Sequence, residues 1–193
     1  MDKIKILALY GKSSAGKDTL QKLLCEDLPM FTAPIISCTT RPPRDCETDG
    51  VDYHFITEQE FREKEKNGFI LESTEFRGWH YGTLYSSLDS EKINVGVFNI
   101  QGIKTIMQND NLLVCPVRIA ASDKLRLMRS LAREHNPDCV EICRRFLADE
   151  ADFNAPDAPI PEFILVNNFE QIHYYPWFVE IYAWFQDKTR QSY

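Results

Sequence analysis

A chain of 193 residues with 44% hydrophobic and 26% charged side chains suits one globular core with small inserted lobes, able to bury about 70% of its unfolded surface. The formal net charge of −7, a sequence pI ≈ 5.2 and the lack of any dense Lys/Arg tract exclude a broad nucleic-acid surface, while a nucleotide monomer held by a few convergent arginines stays open. No run approaches the roughly 18 apolar residues of a membrane span, and Met1 to Ala8 has no basic leader, so a cytoplasmic protein with no membrane partner is expected; composition leaves the oligomeric state open.

The first predicted element is a strand, the apolar run from Ile4 to Tyr10, and it leads straight into G-K-S-S-A-G-K-D-T from Gly11 to Thr19. The spacing Gly11, four residues, Gly16, Lys17 is that of a phosphate-binding loop: glycines let successive backbone N–H groups turn toward phosphate oxygens, and Lys17 reaches the β/γ-phosphates. Leu20, Leu23, Leu24 and Leu28 then fall on one face of a helix whose dipole begins at the loop. A surface turn that contains two glycines by chance is the alternative. In the slot where this pattern places Ser or Thr for Mg²⁺, the chain has Asp18.

Ala33 to Thr39 is a second apolar run, followed by a polar loop, Thr40 to Asp49, containing Arg41, Pro42, Pro43, Arg44 and Glu47 and held extended by its prolines. Tyr53 to Ile56 reads as a short strand. Thr57 with Glu60 forms a capping box opening a helix through Asn67, with Gly68 as its stop. Phe69 to Phe76 and Trp79 to Thr83 read as a hairpin across Arg77-Gly78, so residues 37 to about 90 make a small lobe distinct from the core.

The core resumes at Ile93 to Ile100, whose nearly continuous apolar character is that of a buried parallel strand, and Gly102, Ile103, Ile106 and Met107 suggest a helix after it. Leu112 to Ala120 is a further strand, which Pro116 assigns to an edge or an end. Ser122 caps a helix bearing Leu125, Met128 and Leu131, and a second helix from about Asp138 to Glu150 sets Cys139, Cys143, Phe146 and Leu147 on one face. Arg126, Arg129, Arg133, Arg144 and Arg145 on these helices are equally explained by a solvated charged face. Phe163 to Val166 is the last strand, and Pro176 fits the first position of a closing helix whose stripe of Phe178, Ile181, Tyr182 and Phe185 is core packing. The six cysteines, Cys25, Cys38, Cys46, Cys115, Cys139 and Cys143, form no C-x-x-C pair and read as reduced and structural rather than as a zinc site.

Ser37 to Phe55 reads S-C-T-T-R-P-P-R-D-C-E-T-D-G-V-D-Y-H-F and closely resembles the acceptor-binding segment of guanylate kinases. The resemblance extends to F-I-L-E at Phe69 to Glu72, H-Y-G-T at His80 to Thr83, Gln101-Gly102, an arginine-bearing lid, and V-N-N at Val166 to Asn168, and so covers nearly the whole chain except the aromatic tail. It implies an α/β P-loop kinase: a parallel sheet flanked by helices (core 1–36, 91–122 and 154–193), an inserted acceptor-binding lobe (37–90) and a lid (123–153). It implies ATP and Mg²⁺, with GMP or dGMP as acceptor. Gly11, Ser13, Ser14, Ala15, Gly16, Lys17, Asp18 and Thr19 would hold the ATP phosphates, and Asn167 would lie near the adenine. Ser37, Glu72 and Thr83 would hold guanine, Arg41, Arg44, Tyr53 and Tyr81 the acceptor phosphate, and Lys17, Arg133 and Arg145 the phosphoryl group in flight.

The side-chain chemistry agrees with those implied roles. Guanine presents adjacent N–H donors and the O6 acceptor, which a carboxylate and hydroxyls match; a phosphate dianion suits forked cations and phenols. Phosphoryl transfer needs positioning and charge neutralisation, with no protein nucleophile. Departures from the family pattern are Asp18, Asn99 and Val97 where family members usually carry Ser and two acids, and E-H-N-P after Arg133 in place of a glycine-rich lid. The segment between Thr83 and Gln101 is also shorter than usual by about one helical turn. These departures leave two alternatives, a non-catalytic binding module of the same family and a deoxynucleoside monophosphate kinase of broader range. Asp18 is the candidate Mg²⁺ ligand, replacing the acid missing at Asn99.

Overall fold

The first apolar run becomes β1 (Ile4–Tyr10), the middle strand of an all-parallel sheet in the order β2 (Thr32–Pro34), β7 (Ile93–Val97), β1, β8 (Leu112–Ala120), β9 (Phe163–Val166). These positions come from a computed structural model that describes residues 3–43, 47–76, 78–133, 135–168 and 173–190. Side chains alternate across β1. Leu7 and Leu9 pack on one face with Leu20 and Leu24 of α1 (Lys17–Asp27) and with Phe178, Ile181 and Phe185 of α6 (Tyr175–Arg190). Ile6, Ala8 and Tyr10 pack on the other with Ile103 and Ile106 of α3 (Ile100–Met107). Burying both faces is what demands the unbroken apolar runs of a parallel sheet. Among the described residues no helix is long and apolar enough to cross a membrane.

A second sheet, in the order β4 (His54–Phe55), β3 (Cys38–Thr39), β6 (Trp79–Leu84), β5 (Ile70–Phe76), stands beside the first, with Phe61 of α2 (Glu58–Lys66) packed beneath it. The capping box of α2 is formed: Thr57 Oγ1 accepts from the Glu60 N–H at 3.2 Å and Glu60 Oε2 accepts from the Thr57 N–H at 2.7 Å. The apolar run Ala33 to Thr39 is divided between the two sheets, because the chain crosses from one to the other at Ile35–Ser37.

Three expectations are corrected. Pro116 lies within an interior strand: its carbonyl accepts from Glu162 N at 2.8 Å, and the N–H it lacks belongs on that same side, where pairing with β9 starts only at Val117–Phe163. The ladder to β1 is therefore untouched. Phe98, Asn99 and Ile100 leave the predicted strand, because Asn99 caps α3, its Oδ1 accepting from Gly102 N at 2.7 Å. Finally, the apolar stripes of α4 (Asp123–Ala132) and α5 (Cys139–Phe153), with the cysteines read as structural, are only partly covered, Leu125 and Phe146 being half-buried. Met128, Leu131 and Leu147 are exposed, as are Cys139 and Cys143, while Arg126 is 0% exposed. These helices lie against a polar glycine loop, so a guanidinium is what they bury. Cys25, Cys38 and Cys115 are the inward cysteines; Cys46 lies outside the described residues.

Candidate active site

The loop after β1 has the backbone its sequence requires. Gly11 has φ 152°, and a Cβ there would come within 2.2 Å of the Ile119 carbonyl oxygen. Ser14 and Gly16 also have positive φ, at 59° and 100°, which curls the loop back on itself, the Ala15 N–H donating to Lys12 O at 3.2 Å, and delivers the chain into α1 with no side chain among the described residues capping its N-terminus. Lys17 Nζ donates to the Gly11 and Lys12 carbonyls at 2.9 and 3.1 Å. Burial pushes its pKa down, against the opposing pull of Asp18 and Asp149. Asp18 and Thr19 are exposed in the first turn of α1. Asn167 is buried behind the loop: its Nδ2 donates to Ala15 O at 2.8 Å, while its Oδ1 is buried with no hydrogen-bond partner among the described residues.

Across from the loop, Thr40 and His80 exchange hydrogen bonds that pin the start of the Arg-Pro loop to β6. Arg41 projects over the rings of Tyr53 and Phe55, with its Nη2 2.8 Å from Glu47 Oε1. The Tyr53 and Tyr81 rings meet edge to face, so Arg41, Tyr53 and Tyr81 gather at one place. Arg44 lies outside the described residues. Deeper in the lobe, Glu72 pairs with Thr83 in the β5–β6 register, and the Thr83 hydroxyl donates to Glu72 Oε1 at 2.8 Å. The antiparallel pairing of Cys38 with Gly82 carries Ser37 toward the same row. Burial pushes the Glu72 carboxyl up, opposed by the Thr83 hydrogen bonds. A Cβ on Gly102 would sit 3.1 Å from Glu72 Oε2, so the absence of a side chain at Gly102 lets this carboxylate lie against the start of α3.

The lid differs from its sequence reading. Arg133 ends α4, exposed, near enough to Lys17 for its charge to help lower that pKa. Arg145 is instead paired with Glu141 at 2.8 Å, on a face of α5 that also carries the Arg144–Glu141 pair. The lid arginine that reaches the loop is Arg126, whose Nε donates to Ser13 O at 3.0 Å and whose guanidinium lies 4.2 Å over the Phe146 ring. Asp149 accepts from the Ser13 N–H at 2.7 Å and from Arg126 Nη2 at 2.6 Å; Lys12 pairs with Glu150, and the Ser14 and Ser130 hydroxyls share a hydrogen bond. Sequence reasoning passed over Asp149 and treated Arg126 as one of five helix arginines, since no local pattern marks which of them turns inward.

A glycine loop carrying Lys17 at the start of a helix and a lobe in which Arg41 gathers with two phenols are the pair of features that phosphoryl transfer between two phosphate-bearing substrates calls for. The guanylate kinase family model matches residues 3–173. The guanylate kinase of Fusobacterium nucleatum subsp. nucleatum is 34% identical over 175 residues, covering 85% of this chain and 90% of that one. That of Helicobacter hepaticus is 38% identical over 146 residues, covering 74% and 72%. The chain belongs to the guanylate kinase family of nucleoside monophosphate kinases. Its fold matches the crystal structure of guanylate kinase from Anaplasma phagocytophilum with a TM-score of 0.61 at 22% identity, over 96% of this chain and 88% of that one.

Proposed function

We propose that the protein transfers the γ-phosphoryl group of ATP to GMP or dGMP in the cytoplasm, with Mg²⁺, giving ADP and GDP or dGDP. The observation that carries this reading is that one chain holds both a glycine loop closed around Lys17 and a cluster of Arg41, Tyr53 and Tyr81. The Tyr53 phenol has a raised pKa, chiefly from burial and next from the charge of Asp18, so the loop's helix and the acceptor lobe adjoin. In this reading residues 37–90 form the acceptor lobe, 123–153 the lid, and 1–36, 91–122 and 154–193 the core.

Glu72 accepts from the two adjacent donors of guanine, and the Thr83 and Ser37 hydroxyls complete the edge. Arg41, with Arg44, Tyr53 and Tyr81, holds the acceptor phosphate, so Glu47 must share or yield the Arg41 guanidinium. The loop N–H groups and Lys17 hold the donor phosphates, and Arg133 adds positive charge above them. Asn167 supports the donor side by bracing the loop through Ala15. The role of Arg145 requires that it exchange Glu141 for phosphate.

The residues present fit Mg²⁺, which takes one or two protein carboxylates and completes its shell with phosphate oxygens and water. Asp18 supplies an exposed carboxylate beside Lys17, directly or through water, with the Thr19 hydroxyl next to it. The ion would neutralise charge on the phosphates. Asn99 is committed to capping α3, so its side-chain oxygen is already engaged.

A coupled ADP-release assay with a panel of nucleoside monophosphates tests the whole reading. Turnover confined to GMP or dGMP is expected. No release above background with any of them means the module only binds, and equal turnover of AMP means the base assignment is wrong.

A further inference from the structure

Asp149 is an anion seated on a loop whose chemistry is to hold anions. Its Oδ2 receives two donors at once, the Ser13 backbone N–H at 2.7 Å and Arg126 Nη2 at 2.6 Å, and its Oδ1 lies 3.3 Å from Ser13 Oγ. Its side chain is only 15% exposed, so these bonds are shielded from water. Arg126 does not depend on Asp149 for its position. Its Nε is held by Ser13 O at 3.0 Å, its Nη1 by Asp123 Oδ1 at 2.8 Å, and its plane stacks over Phe146.

We propose that Asp149 Oδ2 marks a phosphate-oxygen subsite of the donor nucleotide, bounded by the Ser13 N–H and Arg126 Nη2, and that Asp149 is a built-in competitor for it. When a triphosphate oxygen takes that place, the Asp149 side chain turns out of it and the oxygen inherits both donors. Arg126, fixed by Ser13 and Asp123, then becomes a direct phosphate ligand. Donor affinity is thus set by a contest between an intramolecular carboxylate and the triphosphate. The apparent dissociation constant is raised by the fraction of molecules in which Asp149 is seated, and a carboxylate seated in nine molecules of ten weakens binding about tenfold. The same contact ties α5 to the loop while the competitor is seated, with the Lys12–Glu150 pair and the Ser14–Ser130 hydrogen bond alongside it.

This inference rests on the reading of Gly11–Thr19 as the donor-phosphate loop, and the two are separable by direct binding. Titration calorimetry of ATP with Mg²⁺ is carried out on the full chain and on Asp149→Ala, Asp149→Asn and Arg126→Ala with Asp149→Ala, with thermal melting to confirm folding. Asp149→Ala is expected to bind ATP about tenfold more tightly than the parent. Asp149→Asn, which keeps an acceptor oxygen but loses the charge, should gain less. Adding Arg126→Ala should abolish the gain, because the oxygen inherits only one donor. A merely structural contact gives the opposite sign, since its loss loosens the lid and weakens binding. Parent-like or weaker ATP binding by both folded Asp149 variants overturns the inference and leaves the loop assignment standing; no ATP binding by the parent or by either variant overturns both. Asp149→Asn keeps the test intact if Asp149→Ala fails to fold.

Discussion

Glu72 is a carboxylate largely removed from water, stabilised by hydrogen bonds from the Thr83 hydroxyl and the Thr83 backbone. Its raised pKa has a definite sign. In the folded protein Glu72 takes up a proton at higher pH than in the unfolded chain, so ionised Glu72 costs stability, a cost that grows as pH rises from the unfolded value near 4.3 through the folded value. Glu72→Gln should therefore raise Tm at neutral pH, with the gain vanishing below about pH 4 in a series of thermal melts. Recognition runs the other way: guanine needs the ionised form, so KM for GMP should climb as pH falls through the folded pKa. Glu72→Ala should cost on the order of 2 to 4 kcal/mol in kcat/KM for GMP, because guanine donors are left unpaired in a dry site, and an unchanged GMP-to-AMP preference would contradict the base assignment.

Asp18 raises a second question at the same scale. A carboxylate beside the triphosphate is repulsive unless a cation lies between them. Asp18→Ala should raise the Mg²⁺ concentration for half-maximal rate and lower kcat, with partial recovery in Asp18→Ser combined with Asn99→Asp. A parent-like magnesium titration would exclude Asp18 from the metal's shell.

Helix α3 joins packing to recognition at the level of the element. Asn99 caps it through the Gly102 N–H, and Gly102 is also where Glu72 approaches the helix. Asn99→Ala should cost about 1 kcal/mol of stability in urea unfolding. Asn99→Asp keeps the cap but adds a carboxylate near Glu72, and like charges disfavour ionisation, so it should move the pH dependence of GMP use to still higher pH. An unshifted profile in Asn99→Asp would mean the two side chains are farther apart in solution than their shared neighbour Gly102 implies.

The whole molecule depends on an element beyond the family match. The match ends at residue 173, yet α6 supplies Phe178, Ile181 and Phe185 to the core face that also holds β1, β8 and α1. Phe185 is 0% exposed, so Phe185→Ala should cost about 3 to 5 kcal/mol in chemical denaturation, through lost transfer energy plus the cavity left behind. Because Phe185 packs in the apolar core rather than among the polar side chains assigned to the substrates, KM for both nucleotides should hold at temperatures where the variant remains folded. A large KM change there would mean that α6 also shapes the site.

Much of this protein was legible in its residues because the signals are local. A glycine loop needs positive φ at Gly11 and Gly16 whatever surrounds it, a capping box at Thr57 and Glu60 closes on itself within one turn, and an unbroken apolar run such as Ile4 to Tyr10 can be buried only from both sides. Arg41 and Tyr53 were readable as neighbours for the same reason, since they lie within one stretch of chain. What the tertiary structure decided is which face of an ambiguous helix turns inward. Arg126 and Asp149 are separated by 23 positions and meet only because α4 and α5 close on the loop, and Met128, Leu131 and Leu147 of those helices face solvent because the surface beneath is polar backbone. Periodicity reports that a helix has a distinct side; only the partner's chemistry determines whether that side or the charged one is buried.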